Sequence, residues 1–152
     1  MAKYYYWLIP DEPHRSRLQR IINNFANIYR GPCFAPHLTL ATGQHIPPSP
    51  SNHRPIALNC QRVESQADYF RALYYRCKES PSLLSLSTFF TKDQTYTPHI
   101  SLLYGDHSDA RKRVWCANTS LYPHPIMCSR IWIVKGATNV HNWRVVKEYS
   151  LS

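Results

Sequence analysis

Two pentapeptides, PHLTL at positions 36–40 and PHISL at positions 98–102, carry the reading of this chain. Each runs proline, histidine, aliphatic, hydroxyl, leucine. With this composition a second accidental match has a probability on the order of 10⁻³. Side chains alternate across a β-strand, so His37 and Thr39 share one face, as do His99 and Ser101. Leu38, Leu40, Ile100 and Leu102 then turn the other way, into a core. A single His-x-Thr describes many amphipathic strands. The same pair written twice is a chemical kit of two imidazoles and two hydroxyls for a common cleft.

The sequence around the motifs reads as follows. YYYWLI (4–9), ended by Pro10, is a buried strand. From Asp11 the period changes. Leu18, Ile21, Ile22, Phe25 and Ile28 recur at helical spacing, with Pro13 near the start and Gly31-Pro32 past the end. GQHIPPSPSNHRP (43–55) is a loop by its prolines and polar residues. IALNCQRVE (56–64) and YFRALYYRC (69–77) read as the arms of a hairpin around residues 65–68. Helices are predicted over 81–90 and 108–117, and IMCSRIWIV (126–134) with NWRVVKEYSL (142–151) gives a closing pair of strands. This order is α+β with mostly antiparallel pairing, and the motif strands occupy equivalent places in two halves.

Composition narrows the classes. With 152 residues, 43% hydrophobic and 18% charged, a single domain over 1–152 is expected, and a disordered tail or a solenoid is excluded. No stretch approaches the roughly 18 apolar residues of a membrane span, and MAKYYYWLIPDEP has no signal-peptide pattern. A cytosolic monomer without a membrane partner is expected. Cys33, Cys60, Cys77, Cys116 and Cys128 are odd in number with no CxxC, which points to buried free thiols and neither a disulfide framework nor zinc. A net charge of +9 favours an anionic partner. The basic residues are otherwise scattered, and Arg111-Lys112-Arg113 reads as the solvated face of a short helix, with a phosphate-facing role as the alternative.

Histidine gains or loses a proton near neutral pH, so a facing pair divides the work into one base and one acid. Phosphodiester hydrolysis needs that division. One imidazole takes a proton from the attacking water and the other protonates the departing oxygen, while Thr39 and Ser101 donate hydrogen bonds to phosphate oxygens. His37 and His99 lack carboxylate or thiolate partners at ligand spacing, and His45, His53, His107, His124 and His141 fall in loops. No metal and no other cofactor is called for.

The pair HLTL and HISL resembles the twin signature of the 2H phosphoesterases. YYYWLIPDE, FAPHLTLA, TPHISLLYG and NWRVVKEYSL together resemble the small cyclic phosphodiesterases of plants and fungi. The resemblance implies a two-lobed, pseudo-symmetric α+β fold, with antiparallel sheets lining a central cleft and helices outside. It also implies hydrolysis of ADP-ribose 1″,2″-cyclic phosphate and of nucleoside 2′,3′-cyclic phosphates to 2′-phosphates. Carried over by residue, His37 and His99 match the catalytic histidines, and Thr39 and Ser101 the phosphate-holding hydroxyls. Tyr104 matches a tyrosine at the phosphate and Trp7 a tryptophan at the cleft wall, though a strand such as YYYWLI buries its aromatics in any fold. The expected order is His99 as base and His37 as acid. The disulfides of plant members do not carry over, because the cysteine positions do not correspond. Two other readings take the same charge: a 2H enzyme that processes RNA 2′,3′-cyclic ends or 2′-5′ linkages, and a non-catalytic RNA-binding module. The module has no need of twin His-x-hydroxyl motifs.

Overall fold

The fold was analysed in a computed structural model that describes residues 2–93 and 97–152. Eight strands form one antiparallel sheet: β1 (Tyr4–Pro10), β2 (Leu38–Gly43), β3 (Ile56–Leu58), β4 (Cys60–Glu64), β5 (Leu73–Cys77), β6 (His99–Leu103), β7 (Ile126–Lys135) and β8 (Arg144–Ser150). The helices are α1 (His14–Tyr29), α2 (Pro81–Phe90) and α3 (Asp109–Asn118). The strand order is β3-β7-β1-β2-β6-β5-β4, with β8 also on β7. None of the described helices is long and apolar enough to cross a membrane.

The halves meet where β2 and β6 run side by side, and they pair at a single rung, Leu38 with Ile100. Both residues are fully buried. Two of the helices back the motif strand of the opposite half: α1, which precedes β2, packs on β6, and α2, which precedes β6, packs on β2, while α3 packs on β4 and β5. Leu18 and Ile22 of α1 and Leu83 and Leu86 of α2 bring their apolar faces to that rung's core side, each burial worth about 1.5–3 kcal/mol. Ser80 caps α2 by accepting a hydrogen bond from Leu83 N, and Ser108 caps α3 by accepting from Arg111 N, as serine at a helix start should.

Three sequence expectations change. IALNCQRVE is not one arm of a hairpin. The chain crosses between halves at Asn59, so Ile56–Leu58 pairs with β7 while Cys60–Glu64 pairs with β5. The short apolar period of 56–64 continues through that crossing, which hid it. Lys112 is not solvated: it is 6% exposed, and its Nζ donates to Gln66 O at 2.7 Å, a carbonyl bond that offsets the burial of the charge. Of the five free cysteines only Cys77 and Cys128 are buried, and Cys33 is exposed.

Because the halves share one backbone rung, its side chains should be unusually costly to shorten. Ile100→Ala is expected to lower the unfolding free energy by about 2–5 kcal/mol. Urea denaturation checks this, and a loss below about 1 kcal/mol would mean that the rung can collapse around the missing atoms.

Candidate active site

Antiparallel pairing turns the single rung into a four-cornered site. Leu38 faces Ile100, so the register continued one residue each way sets His37 beside Ser101 and Thr39 beside His99. All four lie on the face opposite the core leucines. The strands pair only at that rung, and a cavity of about 200 Å³ opens over it. His37, Thr39, His99, Ser101, Tyr104 and Trp7, the six residues singled out from sequence, all line this one cavity.

The prolines of the motifs have a local task. A residue before proline is held extended, which aims the carbonyls of Ala35 and Thr97. The His37 Nδ1–H donates to Ala35 O at 2.6 Å and the His99 Nδ1–H to Thr97 O at 2.9 Å. The same bond in both motifs fixes one tautomer and leaves Nε2 as the nitrogen free to exchange a proton. His37 also stacks flat on Trp7, with ring centroids 3.6 Å apart and planes 12° off parallel. The face of Trp7 is thus covered by an imidazole, and its buried Nε1–H has no acceptor among the described residues. Trp7 therefore sets the plane of His37, and a substrate ring cannot stack on that face.

Burial pushes the His37 pKa down to about 3, against the raising effect of its bond to Ala35 O, and His99 lowers it further. His99, half-buried, is lowered chiefly by burial and then by the Arg71 guanidinium, while its bond to Thr97 O and the Asp68 carboxylate act to raise it. Both imidazoles are neutral at pH 7 in the free protein. Burial raises the Tyr104 phenol, so it stays a hydrogen-bond donor. Its ring stacks on Phe34 at 3.7 Å.

The two hydroxyls differ. Ser101 Oγ donates to Phe70 O at 2.7 Å, whereas the Thr39 hydroxyl has no hydrogen-bond partner among the described residues. The Thr39 hydroxyl is free to donate into the cavity, and that of Ser101 is engaged by a carbonyl.

Sequence reasoning missed six further residues on the lining: Asp68, Phe70, Arg71, Trp143, Tyr5 and Thr42. The first three belong to the segment between β4 and β5, where Tyr69–Arg71 forms a 3₁₀ turn capped by the Asp68 carboxylate. Three carbonyls of this segment are tied down, Gln66 O by Lys112, Tyr69 O by Gly105 N and Phe70 O by Ser101. Arg71 is the one Lys or Arg on the lining, and it has no ion pair among the described residues. Trp143 stacks between Tyr5 (5.0 Å) and Phe70 (5.7 Å) to form an aromatic wall. The run of aromatics in ADYFRALYY and the tryptophan in NWRVV were the available signals.

No protein-family model matches the chain. It is 22% identical over 125 residues to a cyclic phosphodiesterase of Arabidopsis thaliana, covering 72% of this chain and 69% of that protein. It is 24% identical over 137 residues to a 2′,3′-cyclic-nucleotide 3′-phosphodiesterase of Phaeosphaeria nodorum, covering 66% of this chain and 67% of that one. Among solved structures, a protein of Thermus thermophilus, TT0787, superposes with a TM-score of 0.65 at 16% identity, covering 98% of this chain and 97% of that one. E. coli LigT complexed with NADP+ gives a TM-score of 0.63 at 11% identity, covering 99% and 98%. The fold is the LigT-like α+β fold, as the sequence motifs led one to expect.

The depressed His37 couples stability to pH with a definite sign. Below its ordinary pKa of about 6.5 the unfolded chain takes a proton that the folded chain refuses, so this contribution is complete above pH 6.5 and fades as pH falls toward 3. Urea midpoints between pH 7.5 and 4 should therefore fall less in His37→Gln than in the unmodified protein. Parallel pH curves for the two proteins would contradict the burial assigned to His37.

Proposed function

We propose that this chain, whose fold is that of the 2H phosphoesterases, is a cyclic phosphodiesterase that opens small cyclic phosphates by proton transfer between two histidines. The observation that carries this reading is the four-cornered register: two imidazoles with identical Nδ1–H anchors, each flanked by a hydroxyl, over one cavity. The names of the Arabidopsis and Phaeosphaeria relatives support the reaction class. Nucleoside 2′,3′-cyclic phosphates and ADP-ribose 1″,2″-cyclic phosphate are the proposed substrates.

In the free protein both imidazoles are neutral, and an anionic phosphate between them favours their charged forms. Their mutual repulsion leaves one proton for the pair. His37, the more depressed by burial, makes the stronger acid once protonated, and the less buried His99 keeps the more basic nitrogen. That division fits His99 as base and His37 as acid. The oxygen of water attacks phosphorus as His99 Nε2 takes its proton. The bond from phosphorus to the 3′ oxygen breaks, and that oxygen receives the proton of His37 Nε2. A 2′-phosphate monoester results. Thr39, Tyr104 and Arg71 face the cavity with donors for the non-bridging oxygens, where negative charge gathers in the transition state. Ser101 joins them when it releases Phe70 O.

His37→Ala and His99→Ala should each lower kcat by roughly 10²-fold or more on a nucleoside 2′,3′-cyclic phosphate, with the fold kept by circular dichroism. A substrate whose leaving group needs no proton should restore turnover to His37→Ala and not to His99→Ala. Rescue of His99→Ala alone would reverse the order. Near-normal turnover in either variant would defeat the two-histidine reading.

The cavity sets two imidazoles and several hydroxyls beside a single carboxylate, Asp68, with no cluster of three metal-ligating side chains among the described residues, and turnover is expected to persist in excess EDTA. Loss of turnover in chelator, restored by one divalent ion, would replace proton transfer by metal catalysis. In the same assays Thr39→Ala should lose about 10- to 10³-fold in kcat if its hydrogen bond strengthens as charge develops, and should raise KM instead if it binds ground and transition states alike.

A further inference from the structure

Lys112 occupies a position where a lysine is costly. Helix α3 packs on β4 and β5 and buries two side chains, Lys112 and Trp115, at the spacing that puts both on one face. The flanking members of the basic triplet, Arg111 and Arg113, are exposed. An amphipathic helix ordinarily fills an inward position with an apolar side chain, and a buried ammonium without a carboxylate is disfavoured unless its hydrogen bonds compensate. Lys112 has no ion pair among the described residues. A methionine would fill nearly the same space with no charge to desolvate. What the lysine adds is the reach of its ammonium.

That ammonium ends on Gln66 O, and Gln66 is in turn the residue that holds Arg71. Gln66 N donates to Arg71 O at 2.9 Å, which closes the segment between β4 and β5 into a loop. Gln66 Oε1 accepts from Arg71 Nη1 at 3.4 Å. Gln66 Nε2 donates to Tyr74 OH at 3.2 Å, and the Tyr74 ring meets the His99 ring edge to face at 5.3 Å. Gln66 lies outside the cavity yet touches the one cation on its lining and the tyrosine packed against His99. Of the three tethers on this segment, Ser101 belongs to the site and Gly105 donates from its backbone. Lys112 is the tether that a side-chain substitution can release without entering the cavity.

We propose that Lys112 is a positioning residue: by gripping Gln66 from outside the cavity, it fixes the Arg71 guanidinium where the phosphate of a substrate binds. A long cation held in place beforehand gives up its rotamer freedom on folding and not on binding, so its charge-assisted bond to the phosphate appears more fully in affinity. The proposal rests on the cyclic phosphodiesterase reading for the nature of the ligand, and a binding experiment separates the two.

Lys112→Met fills the slot and removes the donor. On 2′,3′-cyclic AMP it should raise KM by about 10-fold, the size of one charge-assisted contact, with kcat within about threefold of the unmodified protein. Arg71→Met should raise KM at least as much. In the Arg71→Met background, Lys112→Met should then add less than about twofold, because both act through one guanidinium. Lys112→Arg keeps a donor and should recover at least about threefold of the KM lost in Lys112→Met. Additive losses in the double variant, equal losses in Lys112→Arg and Lys112→Met, or a loss confined to kcat such as a smaller folded fraction gives, would each overturn the proposal. Calorimetric titration with 2′-AMP reads the same coupling without turnover. Binding about 10-fold weaker in Lys112→Met, with no further loss beside Arg71→Met, supports the positioning role even if no cyclic phosphate is hydrolysed, and unchanged or absent 2′-AMP binding refutes it even in an active enzyme.

Discussion

The rung between Leu38 and Ile100 governs this molecule. Two strands from different halves touch at one residue pair, and everything chemical lies immediately beside it. Had β2 and β6 zipped along their lengths, their side chains would pack as in any sheet and no cavity would open. Had they failed to meet, the imidazoles would face separate surfaces. Because side chains alternate, a slip of one residue in either strand would send its histidine and hydroxyl into the core and its leucines into the cleft. The apolar side of the rung, backed by α1 and α2, forbids that slip by the hydrophobic area it buries. Folding stability and the geometry of the candidate site are here enforced by the same contact.

Burial gives the site its electrostatic character at the expense of the free protein's own stability in acid. Two imidazoles in a shielded cavity, one stacked on a tryptophan, resist charge until an anion arrives. In the proposed mechanism their unequal burial separates them into a stronger acid and a better base, a separation that exposed histidines in water would not develop. The backbone carbonyls of Ala35 and Thr97 add tautomeric definition, so Nε2 is the nitrogen left free to exchange a proton in both halves.

What the sequence made legible is what repeats. PHLTL and PHISL expose their alternation, and from it follow the shared face, the core leucines and the pair of imidazoles. The crossing at Asn59 was not legible, because a strand that changes partner keeps its local pattern; pairing is decided by β7 and β5, far away in the chain. Arg71 and Phe70 were hidden for the same kind of reason. They read as part of a strand, whereas Asp68 bends them into a 3₁₀ turn over the cavity. Lys112 looked solvated because a basic triplet on a helix ordinarily is, and the carbonyl that draws it inward lies 46 residues earlier. Ser101 was legible as a cleft hydroxyl but not as the donor to Phe70 O.

The three tethers on segment 66–71 reach from β6, from the turn that follows it and from α3. A segment that overhangs a binding site must be ordered at some stage, and ordering takes roughly 1–2 kcal/mol of conformational entropy per residue. Here that entropy is given up when the chain folds. On the proposed function, a substrate would meet a surface already shaped, and contacts with Phe70 and Arg71 would appear in affinity with little reorganisation to subtract. Helix α3, whose residues touch no part of the cavity, thereby helps to shape its wall through one lysine and one carbonyl.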